Sequence, residues 1–166
     1  VVLAAYADDV RSAVLAAKRP GGELLATGLA TLLAGKHAAR IAAWKIDLIV
    51  PVPMHWTRRM LRGTSAADGL TRGLAAALGL PSRAALVRSR ATRMQNELEP
   101  ADRRANVRDA FRATAVVAGR RVLVVDDVTT TGGTISACRQ ALVAAGAAAV
   151  YAAAVARADA AEPPAN

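Results

Sequence analysis

The chain has 166 residues, 54% of them hydrophobic but only 3% aromatic, and 22 Lys and Arg against 13 Asp and Glu give a net charge of +9. That length suits one domain with a real core and is too short for two comfortable ones, so the core must be built from Val, Leu, Ile and Ala. A single cysteine, Cys138, excludes an internal disulfide or a cysteine metal cluster and fits a reducing, cytoplasmic compartment, while the basic balance predicts attraction to phosphates, nucleotides or nucleic acid without choosing among them.

No basic region precedes an apolar segment at the start, so a signal peptide is not expected. Between residues 6 and 18, Val10, Ala13, Val14 and Ala17 follow helical spacing, with Asp8 and Asp9 near the start where negative charge is favourable. Lys18, at the end of that helix, reads as a solvated charge rather than a ligand group. Arg19, Pro20, Gly21 and Gly22 break the pattern, and a second apolar helix follows over residues 23–44, with Gly35 as a point of interruption. These helices either pack on the sheet or form a small N-terminal flap.

Residues 46–53 read as a strand ending in Pro51 and Pro53, which cannot donate to a sheet ladder. His55, Trp56, Arg58, Arg59 and Arg62 crowd the loop that follows. Arginine offers a planar fork suited to phosphate oxygens, so the loop serves either as a pyrophosphate clamp or as an ordinary solvated basic turn. Residues 66–78 form a crossover helix stopped by Gly79 and Pro81, and residues 84–88 the next strand. From 89 to 106 the chain turns polar and loses apolar periodicity, the composition of a long mobile loop and, in many enzymes, of a lid. Residues 107–115 are expected to hold a short strand, and residues 147–155 the last one. Domain boundaries are drawn at 1–157, with 158–166 as a disordered tail. The uncharged run from 140 to 156 is too short and too alanine-rich for a membrane span, so no membrane insertion is expected.

The chain is organised around residues 122–134. Val122, Leu123, Val124 and Val125 read as a strand buried on both faces, after which come Asp126 and Asp127 and then a Gly/Thr loop. Gly132 and Gly133 permit turn conformations closed to other residues and let backbone N–H groups approach an anion. Thr129, Thr130, Thr131 and Thr134 add hydroxyl donors, and residues 134–145 continue as a helix whose N-terminus favours phosphate. The loop lacks the spacing of a Walker P-loop, and its acids precede its glycines, unlike a Rossmann fingerprint. Carboxylates that only accept hydrogen bonds, placed before a phosphate nest, suit a ribose 5′-phosphate. His37 and His55 have no metal-ligand spacing, so no resident metal site is expected.

The ordered stretch resembles the 5-phosphoribosyl-1-pyrophosphate (PRPP) signature of type I phosphoribosyltransferases. The likeness narrows to the ComF subgroup through Val50, Pro51, Val52 and Pro53 followed by His55, Trp56, Arg58, Arg59, Arg62 and Gly63, and through Arg90, Thr92, Gln95 and the Arg103 to Phe111 stretch. Where ComF-like proteins carry Arg-Gly-Phe-Asn-Gln, this chain has Arg62, Gly63, Thr64, Ser65 and Ala66, and the N-terminal cysteine zinc module of many relatives is not in these residues. The resemblance implies a single-domain α/β type I phosphoribosyltransferase fold, a mainly parallel sheet with helices on both faces and a small N-terminal flap. It further implies ribose-holding, catalytic roles for Asp126 and Asp127 and a 5′-phosphate cradle of Thr129, Thr130, Thr131, Gly132, Gly133 and Thr134. His55, Arg58 and Arg59 would bind pyrophosphate, Arg90, Thr92 and Gln95 would belong to the flexible loop, and Mg²⁺ would arrive with PRPP. The implied activity is pentosyl transfer with pyrophosphate release, associated with competence and DNA uptake. The alternative is a non-catalytic accessory protein that binds PRPP or nucleic acid, with single-stranded DNA or DNA-uptake proteins as partners.

Overall fold

The structure, a computed structural model, describes residues 1–53, 66–88 and 110–158. Its elements are β1 (Val2–Ala5), α1 (Asp8–Ala17), α2 (Glu23–Ala43), β2 (Leu48–Pro51), α3 (Ala66–Leu78), β3 (Leu86–Arg88), β4 (Phe111–Ala113), a 3-10 turn (Ala115–Val117), β5 (Arg121–Thr129), α4 (Gly133–Ala144) and β6 (Ala149–Arg157). Four strands make a parallel sheet in the order β1-β6-β5-β2. β5 therefore lies between β6, which follows it through α4, and β2, which precedes it. Ligands in open α/β sheets bind beyond the carboxyl ends of strands where the order reverses, and here that point is between β5 and β2.

Strand alternation divides the core in two. Ile49, Leu123 and Val125 face a layer made by α1, α2 and α3, where Leu29, Leu33, Leu70 and Leu74 are buried. Leu48, Val50, Val122 and Val124 face the other way, onto Cys138 and Leu142 of α4 and onto Leu86 and Phe111. A run of consecutive Val and Leu suits a strand covered on both sides. α2 and α3 cross closely because α3 presents glycine: a Cβ added at Gly73 would stand 2.7 Å from the Ala30 Cβ and 3.1 Å from the Thr27 Cα.

The N-terminal segment expected as a helical flap contributes both to the sheet, as edge strand β1, and to the helical layer that covers it. β1 was not expected, because four residues of Val, Leu and Ala carry no period of their own; pairing with β6 creates the strand. Lys36 Nζ donates to the Leu3 carbonyl at 2.6 Å, and His37 Nε2 stands 2.9 Å from the Val2 carbonyl oxygen, so α2 holds the edge. The irregularity in α2 falls at His37 (φ −120°, ψ 16°) rather than at Gly35.

One further expectation is corrected. Residues 84–88 do not supply the next strand of the parallel sheet: β3 pairs antiparallel with β4, with Leu86 opposite Ala113 and Arg88 opposite Phe111, while only Ser82 bridges to β2 at Ile49. The apolar run 140–156 is the end of α4, a turn with Gly146 at φ +87°, and β6. Among the described residues no helix is long and apolar enough to cross a membrane. The tail expected over 158–166 lies outside the described residues from 159 onward; Ala158 donates its N–H to the Thr129 carbonyl at 2.9 Å.

Candidate functional site

β5 does not stop where its apolar run stops. It continues through Asp126 and Asp127 to Thr129, because β6 keeps pairing with it, Asp126 opposite Ala154 and Thr129 opposite Arg157. On the other side β2 ends at Pro51, opposite Val125, and the last link is the Val52 N–H to the Val125 carbonyl at 2.9 Å. Among the described residues, 126–129 are thus paired on one side only, beyond the proline that closes β2. The same residues leave a notch beyond β2 at the reversal of strand order, and both acids lie beside it.

The carboxylates are partly buried and unequal. The Asp127 N–H donates to Asp126 Oδ1 at 2.9 Å. Burial and the neighbouring Asp127 charge nevertheless raise the Asp126 carboxyl to about 7. Two adjacent acids in a poorly hydrated notch resist double ionisation, so one proton is held near neutrality. Lys18, expected as a solvated helix end, instead places Nζ 3.1 Å from Asp127 Oδ2. No residue pattern signals this contact, since it depends on how α1 docks against the sheet.

After Thr129 the chain turns through exposed Thr130 and Thr131 into α4. Gly132 is the N-cap at φ +76°, ψ 6°, a left-handed conformation that only glycine adopts freely, and its carbonyl accepts the Ser136 N–H at 2.8 Å. No side chain caps the helix there, and a Cβ at Gly132 would meet nothing within 4 Å. The first N–H groups of α4 and the Thr130, Thr131 and Thr134 hydroxyls thus border open space, the arrangement that suits an anion. Cys138, one turn further into α4, is fully buried; burial, then the Asp126 charge, push its thiol up to about 12. It is a packing residue, as expected.

The acids and the Gly/Thr loop are therefore consecutive at one end of the sheet. His55, Arg58 and Arg59, and also Arg90, Thr92 and Gln95, lie outside the described residues. Among those described, no group of three or more His, Cys, Asp or Glu could hold a metal. Two hard carboxylate donors fit a Mg²⁺ ion that brings its remaining oxygen ligands with it.

A family model described as the phosphoribosyl transferase domain matches residues 20–166. The chain belongs to this family. The domain is 35% identical over 154 residues to the DNA utilization protein YhgH of Escherichia coli K12, covering 90% of this chain and 68% of that protein. It is also 38% identical over 110 residues to competence protein F of Haemophilus influenzae, covering 63% of this chain and 48% of that one. Among solved structures, the domain matches glutamine PRPP amidotransferase from B. subtilis with a TM-score of 0.54 and 26% identity, over 78% of this chain and 25% of that chain. A structure titled as the allosteric regulatory enzyme of purine biosynthesis gives the same TM-score at 27% identity, again over 25% of that chain. The type I phosphoribosyltransferase fold and the ComF kinship both hold for the domain.

Proposed function

We propose that this domain binds PRPP with Mg²⁺ at the notch between β5 and β2 and transfers its phosphoribosyl group with release of pyrophosphate, in the service of DNA uptake or utilisation. The reading is carried by the consecutive placement of two carboxylates and a Gly132-capped helix start beside open space. The loop over Thr129 to Thr134 receives the 5′-phosphate through backbone N–H groups and hydroxyls, at the positive end of α4. Asp126 and Asp127 accept hydrogen bonds from the ribose hydroxyls and offset positive charge that develops on the sugar as pyrophosphate leaves, an electrostatic role. Asp126 and Asp127 are the residues that would hold Mg²⁺ arriving with the ligand, and the ion would supply positive charge to the pyrophosphate oxygens. His55, Arg58 and Arg59 are assigned to the pyrophosphate and Arg90, Thr92 and Gln95 to the segment closing over it, from the family resemblance alone.

The test is calorimetry with PRPP and Mg²⁺, followed by a pyrophosphate-release assay with a panel of bases and amines as acceptors. Binding with turnover supports the enzyme. Binding without turnover for any acceptor supports the second reading, a PRPP-responsive accessory protein, which the net charge of +9 and the relatives named for DNA utilisation and competence favour. Absence of PRPP binding refutes both.

A further inference from the structure

α1 ends at the candidate site. Lys18 is its C-cap; the Lys18 N–H donates to the Leu15 carbonyl at 3.3 Å and the Arg19 N–H to the Ala16 carbonyl at 3.1 Å, so the main chain there is fixed. Its ammonium reaches Asp127 Oδ2 at 3.1 Å, with the two side chains 24% and 17% exposed. Ion pairs on open surface contribute little. This one is largely withdrawn from water, and it joins the first helix to the strand end that carries both acids.

That position conflicts with the ligand the site is read to take. A magnesium ion on Asp127 would stand roughly 2.1 Å from a carboxylate oxygen, which puts two positive centres on one carboxylate in a partly buried notch. Repulsion between them is felt strongly where water screens poorly, so a metal on Asp127 weakens the ammonium's hold on Oδ2. A lysine head is a compact charge on a flexible four-carbon stem, able to change partner while its backbone stays put. PRPP bound beside Asp127 would bring phosphate oxygens as an alternative partner.

We propose that Lys18 is a counter-ion that trades partners: it neutralises Asp127 in the ligand-free protein, yields that carboxylate to the ligand-borne divalent cation, and then pairs with the anionic groups of PRPP. This rests on the PRPP reading above. It differs from a structural brace between α1 and β5, which would change stability but neither affinity, and it makes the two affinities move in opposite directions.

The experiment uses wild type, Lys18→Met, which keeps the stem and removes the charge, and Lys18→Arg. Mn²⁺ alone is titrated by water-proton relaxation, and PRPP at saturating Mg²⁺ by calorimetry. The loss or gain of one charged contact in a partly buried site should read as about tenfold. In Lys18→Met, Mn²⁺ alone should bind about tenfold more tightly and PRPP about tenfold more weakly, while Lys18→Arg stays near wild type in both. If circular dichroism shows Lys18→Met unfolded, Lys18→Gln takes its place in both titrations. A folded variant whose Mn²⁺ affinity is unchanged or weaker, or whose PRPP affinity is unchanged or tighter, overturns the exchange. Wild type that fails to bind PRPP removes the underlying reading and this inference with it; wild type that binds PRPP beside a variant with neither shift removes this inference alone.

Discussion

Replacing Asp126 by Asn should stabilise the fold, by an amount that grows with pH. Burial and the Asp127 charge lift the Asp126 carboxyl from 3.8 to about 7, so the folded protein holds this proton more tightly than the unfolded chain does. A group raised in this way supports folding fully below its unfolded pKa and withdraws that support as the pH climbs through its folded pKa, here from about 4 to about 7. At ~1.36 kcal/mol per unit, the penalty on wild type reaches at most about 4 kcal/mol by pH 8 and is under half of that at pH 5. Asn is nearly isosteric, carries no charge, and keeps an oxygen to accept the Asp127 N–H that Asp126 Oδ1 accepts at 2.9 Å. Urea unfolding of both proteins at pH 5 and pH 8 measures the gap, and the other titrating groups cancel in the difference. The gap should widen by roughly 2 kcal/mol between the two pH values. A gap that does not change with pH would show that Asp126 is ionised throughout, and the account of the buried acid pair would fall. The same variant should bind PRPP more weakly, as expected where a site holds groups that burden the fold.

Gly132→Val forces a β-branched residue to φ +76°; it should lower stability by roughly 1–3 kcal/mol and abolish PRPP binding in the protein that remains folded, as calorimetry would show. Gly73→Ala drives a methyl to 2.7 Å from the Ala30 Cβ, so α2 and α3 must separate, and a loss of about 1–3 kcal/mol should appear in thermal or urea melts. Cys138, whose thiol is pushed up to about 12 by burial and then by Asp126, should resist iodoacetamide at pH 8 in the native protein and react only on unfolding; fast native alkylation, read by mass spectrometry, would contradict that burial.

Local pattern was enough for the elements that carry a period or a punctuation mark. α3 runs over Ala66–Leu78 as its apolar spacing and Gly79 indicated, α1 and α2 follow theirs, and the four apolar residues before Asp126 are buried as their composition implied. The features missed are those that pairing decides. β1 exists because β6 has a free edge, and β5 passes beyond its apolar run because β6 does too. β3 and β4 have too few residues to declare which sheet they join. At the site, the acid pair and the left-handed Gly132 were legible, since residue types there dictate the chemistry. Lys18 was not, because a helix end reveals its charge but not what tertiary packing sets against it.

The small antiparallel ladder has a consequence for how the molecule can vary. Arg88 and Phe111 face each other across it, with the Arg88 guanidinium carbon 5.5 Å from the Phe111 ring centroid, so the stretch between them departs from and returns to a single fastened point. For a closed loop whose ends are already pinned, doubling its length adds only about 0.6 kcal/mol of closure entropy. Changes of chain length between the two anchors should therefore leave the melting behaviour of the sheet almost untouched. The ladder thus uncouples the architecture it belongs to from the length of the sequence it brackets.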